Sequence, residues 1–264
     1  MDLGLQNKTA IVTGSTAGIG FAIASTLAAE GAEVILNGRT TQRVNAAVEK
    51  ISQHTKSRSI RGIAADLGTH AGIESFLKQV PRADILVNNL GIFDPKPFLD
   101  ILDSEWLRFF EVNVMSGVRL TRHYLPAMVE KKWGRVIFIS SESGQQIPAE
   151  MVHYGMTKTA QVAIARGVAE SVAGTGVTVN SVLVGPTASE GVGVFLDSMA
   201  RQQKLTIAEI EKQFFATVRP SSLLKRFETP EEVAAVVAFI ASTQAASING
   251  SAVRAEGGVV RSIF

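Results

Sequence analysis

The chain predicts an α/β domain built on a doubly wound, mostly parallel seven-stranded sheet flanked by helices. Three observations carry that prediction. Short runs rich in Val, Ile and Leu alternate along the chain with longer stretches of helical period. Most of the short runs are apolar on both faces, as strands covered by helices on either side must be. No Pro- or Ser-rich linker and no low-complexity tract interrupts the rhythm, so a single domain over 1–264 is expected.

The expected strands are 9–13, 33–37, 59–65, 83–88, 135–140, 177–183 and 251–255. The expected helices are 18–30, 41–54, 69–79, 104–131, 152–175 and 229–241. The last of these starts on Thr229-Pro230-Glu231-Glu232, which reads as an N-cap, Pro at the first helical position and acids in the first turn. One segment departs from the pattern. Residues 187–224 contain no strand but hold Phe195, Met199, Phe214 and Phe215. A long excursion inside a compact domain usually has a task, and a lid over the substrate site is expected.

Composition narrows the functional classes. With 46% hydrophobic and 19% charged residues, 23 Gly and 8 Pro, the chain is ordinary for a globular protein. Area scaling gives about 11,000 Å² of folded surface against roughly 41,000 Å² extended, enough burial for a core without staples. The absence of Cys excludes disulfides, thiolate metal sites and cysteine nucleophiles. His54, His70, His123 and His153 show no ligand-like pairing, so no metal is expected. Lys+Arg 26 against Asp+Glu 24 leaves +2, and Lys131-Lys132 near Arg135 reads as a solvated helix end, so no nucleic-acid partner is expected. Met1 to Lys8 is not a basic segment followed by an apolar one, and the longest apolar run, Val233 to Ala241, is too short for a bilayer. A soluble cytoplasmic protein with no membrane partner follows as the expectation.

The first strand runs into Thr13-Gly14-Ser15-Thr16-Ala17-Gly18-Ile19-Gly20, followed by a helical pattern. A glycine-rich strand-to-helix turn lets backbone approach a pyrophosphate, and the N–H groups and dipole of the helix start favour its charge. Glycines alone also serve tight turns and helix packing; their place after the first strand of a strand–helix–strand unit favours a nucleotide.

From this motif onward the chain resembles the short-chain dehydrogenase/reductase family, in its single-domain branch with a Rossmann-like fold. Asp66-Leu67 stands where that family has an Asp bonding the adenine amino group. Asn88-Asn89-Leu90-Gly91 is similar to its Asn-Asn-Ala-Gly, with Leu90 replacing the Ala. Asn180 to Ser189 is similar to its segment beneath the nicotinamide, with Val184 for the Pro, Ser189 for the Thr and Gly185 kept. Arg226-Phe227, Pro230 to Ala234, Gly250 and Glu256-Gly257-Gly258 follow its C-terminal pattern. The resemblance implies cofactor contacts from Gly14, Ser15, Thr16, Gly18, Ile19, Gly20, Asp66, Leu67, Asn89, Gly91, Tyr154, Lys158, Thr187 and Ser189. Cofactor choice has a physical argument of its own. An acid at the end of the second strand would accept from the ribose 2′-OH and repel a 2′-phosphate. This chain has Asn37-Gly38-Arg39-Thr40 there, and Arg39 offers a guanidinium fork suited to phosphate. NADP(H) is favoured, with NAD(H) kept as the alternative.

The fifth strand ends in Ser140-Ser141, and Tyr154-Gly155-Met156-Thr157-Lys158 follows. Tyr and Lys at i and i+4 share one helix face. Ketone reduction leaves an alkoxide to be protonated, and alcohol oxidation needs the reverse. A phenol titrating near 10 suits neither at neutral pH; bringing it to about 7 takes about 4 kcal/mol, which a nearby desolvated ammonium is expected to supply. With the resemblance, Tyr154 is the general acid in reduction and base in oxidation. Lys158 acidifies it and holds the nicotinamide ribose. Ser141 donates to the substrate oxygen as charge develops. Asn113, in the helix after the fourth strand, holds a water linking Lys158 to solvent.

His153 should point about 100° round the helix from Tyr154, toward a surface or subunit contact. Residues 144–152, with Gln145, Gln146, Ile147, Glu150 and Met151, are expected to line a pocket for a medium-sized carbonyl or secondary alcohol, closed over by the excursion's aromatics. Three other readings stay open: an inactive nucleotide-binding regulator, an epimerase or dehydratase working by transient oxidation, and a methyltransferase. The resemblance also implies a homo-oligomer, tetramer or dimer, with the apolar ending Val259 to Phe264 buried at a subunit contact.

Overall fold

The computed structural model describes residues 1–55 and 59–263. β1 (Thr9–Val12) pairs in parallel with β2 (Glu33–Gly38) on one side and β4 (Ile85–Asn88) on the other. β3 (Ile60–Ala64) extends the first side; β5 (Gly134–Ser141), β6 (Val177–Val184) and β7 (Ala252–Ala255) extend the second. The order is β3-β2-β1-β4-β5-β6-β7 with every pairing parallel. Register sets Val12 opposite Leu36 and Val87. Because the chain first winds one way from β1 and then the other, a groove opens beyond the strand ends between β1 and β4.

Each strand feeds two cores by alternation of its side chains. Val12, Leu36, Val87, Ile139 and Val184 join α1 (Gly18–Ala29), α2 (Thr41–Thr55) and α9 (Pro230–Ala241) on one face. Ile11, Ile35, Leu86, Phe138 and Val179 join α3 (His70–Gln79), α5 (Ser116–Glu130) and α6 (Val152–Ser171) on the other. Each fully buried aliphatic or aromatic side chain stabilises by about 1.5–3 kcal/mol. Thr229 caps α9 through the expected capping box.

Three elements differ from expectation. The helix expected over 104–131 is α4 (Asp103–Phe110), a π-helical turn (Glu111–Met115) and α5. The wide turn inserts a residue without breaking the helical path. The helix expected to reach 175 stops at Ser171, because Gly174 and Gly176 take positive φ at 77° and 81°. The excursion folds into α7 (Glu190–Gln203) and α8 (Ile207–Thr217), whose Leu196, Ile210 and Phe215 pack with Phe227 in a separate small core. Met199 and Phe214 join that core as well. These residues pack on one another within the hairpin, and the Phe195 side chain lies outside the described residues. Val259 and Val260 are already buried within the chain, while Ile263 is exposed and Phe264 lies outside the described residues. Among the described residues no helix is long and apolar enough to cross a bilayer.

Candidate active site

The glycine turn is held by its neighbours together with its own Thr13 and Ser15 hydroxyls. Gly14 and Gly18 take φ of 59° and 55°, the left-handed region. Asn89, just past β4, donates from Nδ2 to the carbonyls of Thr13 at 2.9 Å and Gly14 at 3.1 Å. Thr13 Oγ1 in return accepts from the N–H groups of Asn89 and Leu90. Asn37 turns inward, its Nδ2 donating to Ile63 and Ala65 carbonyls and its Oδ1 accepting from Gly14 N. A Cβ on Gly20 would stand 2.6 Å from the Gly14 carbonyl. Ala17, at the N-cap of α1, makes no side-chain cap. The helix start therefore keeps its N–H groups for a ligand, the arrangement a pyrophosphate requires. By this test the turn fits a dinucleotide.

The remaining expected cofactor residues fall at strand ends round the same groove. Arg39 is exposed past β2 and forms no ion pair among the described residues. Asp66 is exposed past β3, with Oδ1 accepting from Gly68 N at 3.0 Å; Leu67 is buried. Gly91 lies by the reactive groups: a Cβ there would stand 3.5 Å from Lys158 Nζ. Ser189 meets the turn, its Cβ 3.2 Å from where one on Gly18 would be. Two expected contacts are turned away. Ser15 spends its N–H on Asn37 O and its hydroxyl on Val12 O, so neither donor reaches the groove. Thr187 spends its hydroxyl on the Gly185 carbonyl.

Ser141 ends β5, and Ser140 Oγ donates to the Lys158 carbonyl at 2.8 Å, pinning α6 to that strand end. Gly144 allows backbone-to-backbone contact, since a Cβ there would lie 2.8 Å from the Lys158 carbonyl carbon. Tyr154 and Lys158 consequently lie over the groove on one face of α6, with Lys158 Nζ 5.6 Å from the Tyr154 ring centre. Nζ donates to the Ile139 carbonyl at 2.8 Å. Burial pulls the Lys158 ammonium down to about 8. The Tyr154 phenol is pushed up, first by burial and then by the Glu142 carboxylate, against a hydrogen bond with Ser141 and the Arg219 charge. In the chain by itself desolvation and a carboxylate oppose ionisation of the phenol, the balance that the ammonium and an oxidised nicotinamide ring were expected to tip the other way.

The π-helical turn places Asn113, 1% exposed, facing α6. Its Oδ1 accepts from Ile92 N at 2.8 Å, and its Nδ2 donates to Ile92 O and Thr157 Oγ1, both at 3.0 Å. Its main-chain carbonyl accepts from Gln161 Nε2 at 2.6 Å. Both Nδ2 protons of Asn113 are taken by protein groups, so its amide braces the residue before Lys158. Gln161 was legible only as the i+7 member of the stripe Tyr154, Lys158, Gln161.

Two further residues were missed. Glu142, 4% exposed, accepts through Oε2 from the Ser141 hydroxyl and from Ser143 Oγ at 2.7 Å, and through Oε1 from Arg219 Nε at 2.8 Å. The proton of Ser141 thus points to Glu142, where donation to substrate was expected. An acid directly after two serines at a strand end was the available signal for Glu142; nothing flagged Arg219, 77 residues away. His153 is also corrected: it is buried against Phe109, ring centres 4.0 Å apart, because the face 100° from Tyr154 meets α4 rather than solvent.

Comparison with known proteins shows the family. The family model for short chain dehydrogenase matches residues 8–199. Over 264 residues the chain is 52% identical to YvaG, an uncharacterized oxidoreductase of Bacillus subtilis (strain 168), with 100% of both covered. It is 32% identical to the D-beta-hydroxybutyrate dehydrogenase of Cupriavidus necator, covering 97% of this chain and 99% of that protein. Among solved structures, it is similar to L-sorbose reductase from Gluconobacter frateurii complexed with NADPH and L-sorbose, with TM-score 0.93, 28% identity and 100% of both chains covered.

Proposed function

Because this chain belongs to the short-chain dehydrogenase family and is an NAD(P)-dependent oxidoreductase acting on CH–OH and C=O groups, we propose that Tyr154 is its general acid and base and that it prefers NADP(H). One observation carries the reading: Tyr154, Lys158 and Ser141 converge beside a glycine turn that suits a dinucleotide. A dinucleotide held by the glycine turn, Asn89, Ser189 and Lys158 would supply or take up the hydride.

The chain's own groups move the proton. In reduction, Tyr154 Oη protonates the oxygen of a ketone; in oxidation it takes the proton from a secondary alcohol. Lys158 supports the phenolate and holds ribose hydroxyls. Ser141 positions the phenol, and it donates to the substrate oxygen once its proton leaves Glu142. Asn113 acts as a positioning residue, bracing Thr157 and Ile92 in the loop after β4. Gly14, Thr16, Gly18, Ile19, Gly20, Asp66, Leu67, Asn89, Gly91 and Ser189 frame the cofactor, and Arg39 meets the 2′-phosphate. The excursion acts as a lid: Glu190 at the start of α7 pairs with Arg43 of α2, and Arg219 beyond α8 pairs with Glu142. The substrate is a medium-sized ketone or secondary alcohol.

The test is turnover of a panel of ketones with NADPH and NADH, and of secondary alcohols with the oxidised forms, followed by absorbance of the reduced ring. Tyr154→Phe is expected to lower kcat at least about a thousandfold while leaving NADPH binding within about twofold. Undiminished turnover in that variant would remove the phenol from the mechanism.

A further inference from the structure

Proton transfer by a phenol requires neither a buried carboxylate nor a buried guanidinium at the end of β5, yet both are present. Glu142 directly follows Ser141 and holds it: one carboxylate oxygen takes the Ser141 and Ser143 hydroxyls, and the other takes Arg219 Nε. Arg219 is 8% exposed and comes from the end of the excursion, its Nη1 also donating to Glu150 at 3.3 Å. The buried carboxylate meets the guanidinium directly, charge against charge. The pair acts on the phenol in opposite directions, Glu142 disfavouring its ionised form and Arg219 favouring it. The other charges facing this cluster are Lys158 from α6, Glu150 ahead of α6, Glu228 before α9, and Glu256, which is paired with Arg254.

We propose that Glu142 and Arg219 are a positioning pair through which seating of the excursion sets the protonation of Tyr154. With Arg219 seated, the carboxylate is neutralised, Ser141 is held against the phenol, and proton release is eased. With Arg219 withdrawn, a bare anion stands one hydroxyl away from the phenol and keeps it protonated. The excursion thereby couples closure over the substrate to readiness for proton transfer. This proposal rests on Tyr154 being the acid–base group.

The test compares Arg219→Met, Glu142→Gln and the double variant, each with and without bound NADPH. Ionisation of Tyr154 is read from tyrosinate absorbance, subtracting the same variant carrying Tyr154→Phe so that Tyr124, the other tyrosine, cancels. The pH profile of kcat is read alongside. Arg219→Met is expected to move the phenol at least about one pH unit alkaline and to cut kcat at pH 7 about tenfold or more. Glu142→Gln should move it acid, and the double variant should return to within about half a unit of the parent. Shifts of the same sign in both single variants, or none, would overturn the proposal. Should Arg219→Met fail to fold, Glu142→Gln alone decides, because an unmoved or alkaline phenol contradicts it. Failure of the underlying reading looks different: Tyr154→Phe would then retain turnover, whatever the titrations show.

Discussion

Arg39 shows how much a single side chain decides. At the end of β2, Asn37 is spent inward on the glycine turn and Gly38 has no side chain, so Arg39 is the group there that can meet an adenosine ribose. A charge-assisted contact to a 2′-phosphate is worth about 1.5–3 kcal/mol. Arg39→Ala should therefore weaken NADPH binding roughly tenfold to a hundredfold and leave NADH within about twofold, as measured by calorimetry. Equal losses for both would refute the preference. The placement of candidate groups was legible wherever it lay within one helical turn or at one strand end: Tyr154 with Lys158, and Ser141. It was hidden wherever it depended on partners far away in sequence. Ser15 and Thr187 have the right residue types, but their hydroxyls are claimed by main-chain carbonyls that only the folded chain brings near.

At the scale of elements, the strand-to-helix turn is the most tightly constrained piece. Gly20 lies on α1, where an added Cβ would be 2.5 Å from Asn89 Nδ2 and 2.6 Å from the Gly14 carbonyl. The carbonyl is main chain and cannot move aside cheaply. Gly20→Ala should destabilise by about 1–3 kcal/mol and weaken cofactor binding, read by denaturant unfolding and NADPH titration. Gly167 on the exposed side of α6 is the control: nothing lies within 4 Å of its added Cβ. Gly167→Ala should be neutral or stabilising by up to about 1 kcal/mol, leaving binding untouched. The strands were legible because β1, β2, β4, β5 and β6 bury both faces and read as apolar runs, while the edge strands β3 and β7 are only partly buried. The π-helical turn was not, since Glu111 to Met115 has ordinary helical composition and its widening answers to contacts from Ile92, Thr157 and Gln161.

At the scale of the whole molecule, stability carries a pH dependence from one buried acid. Glu228, 6% exposed, lies beside the segment 185–188, and burial raises its carboxyl from 4.5 to about 7. Between those values the folded chain binds a proton that the unfolded chain releases. This group's contribution is therefore complete below about 4.5, falls as pH rises, and is lost above about 7. The loss is about 3 kcal/mol across that window. Glu228→Gln should flatten the dependence of unfolding free energy on pH between 5 and 8; an identical slope in both proteins would contradict it. The parallel, doubly wound character of the sheet was legible in the strand–helix alternation, whereas the inward packing of the excursion's aromatics depended on Phe227, a partner outside the segment itself. Finally, all seven strands run the same way, so every group assigned to chemistry stands along one rim, and the rim where Thr9, Glu33 and Gly134 open their strands has none. Fixed to an electrode or bead by that back rim, the protein would present its mouth to the bathing solution, whereas anchorage near Ile147 or Glu150 would press it against the support.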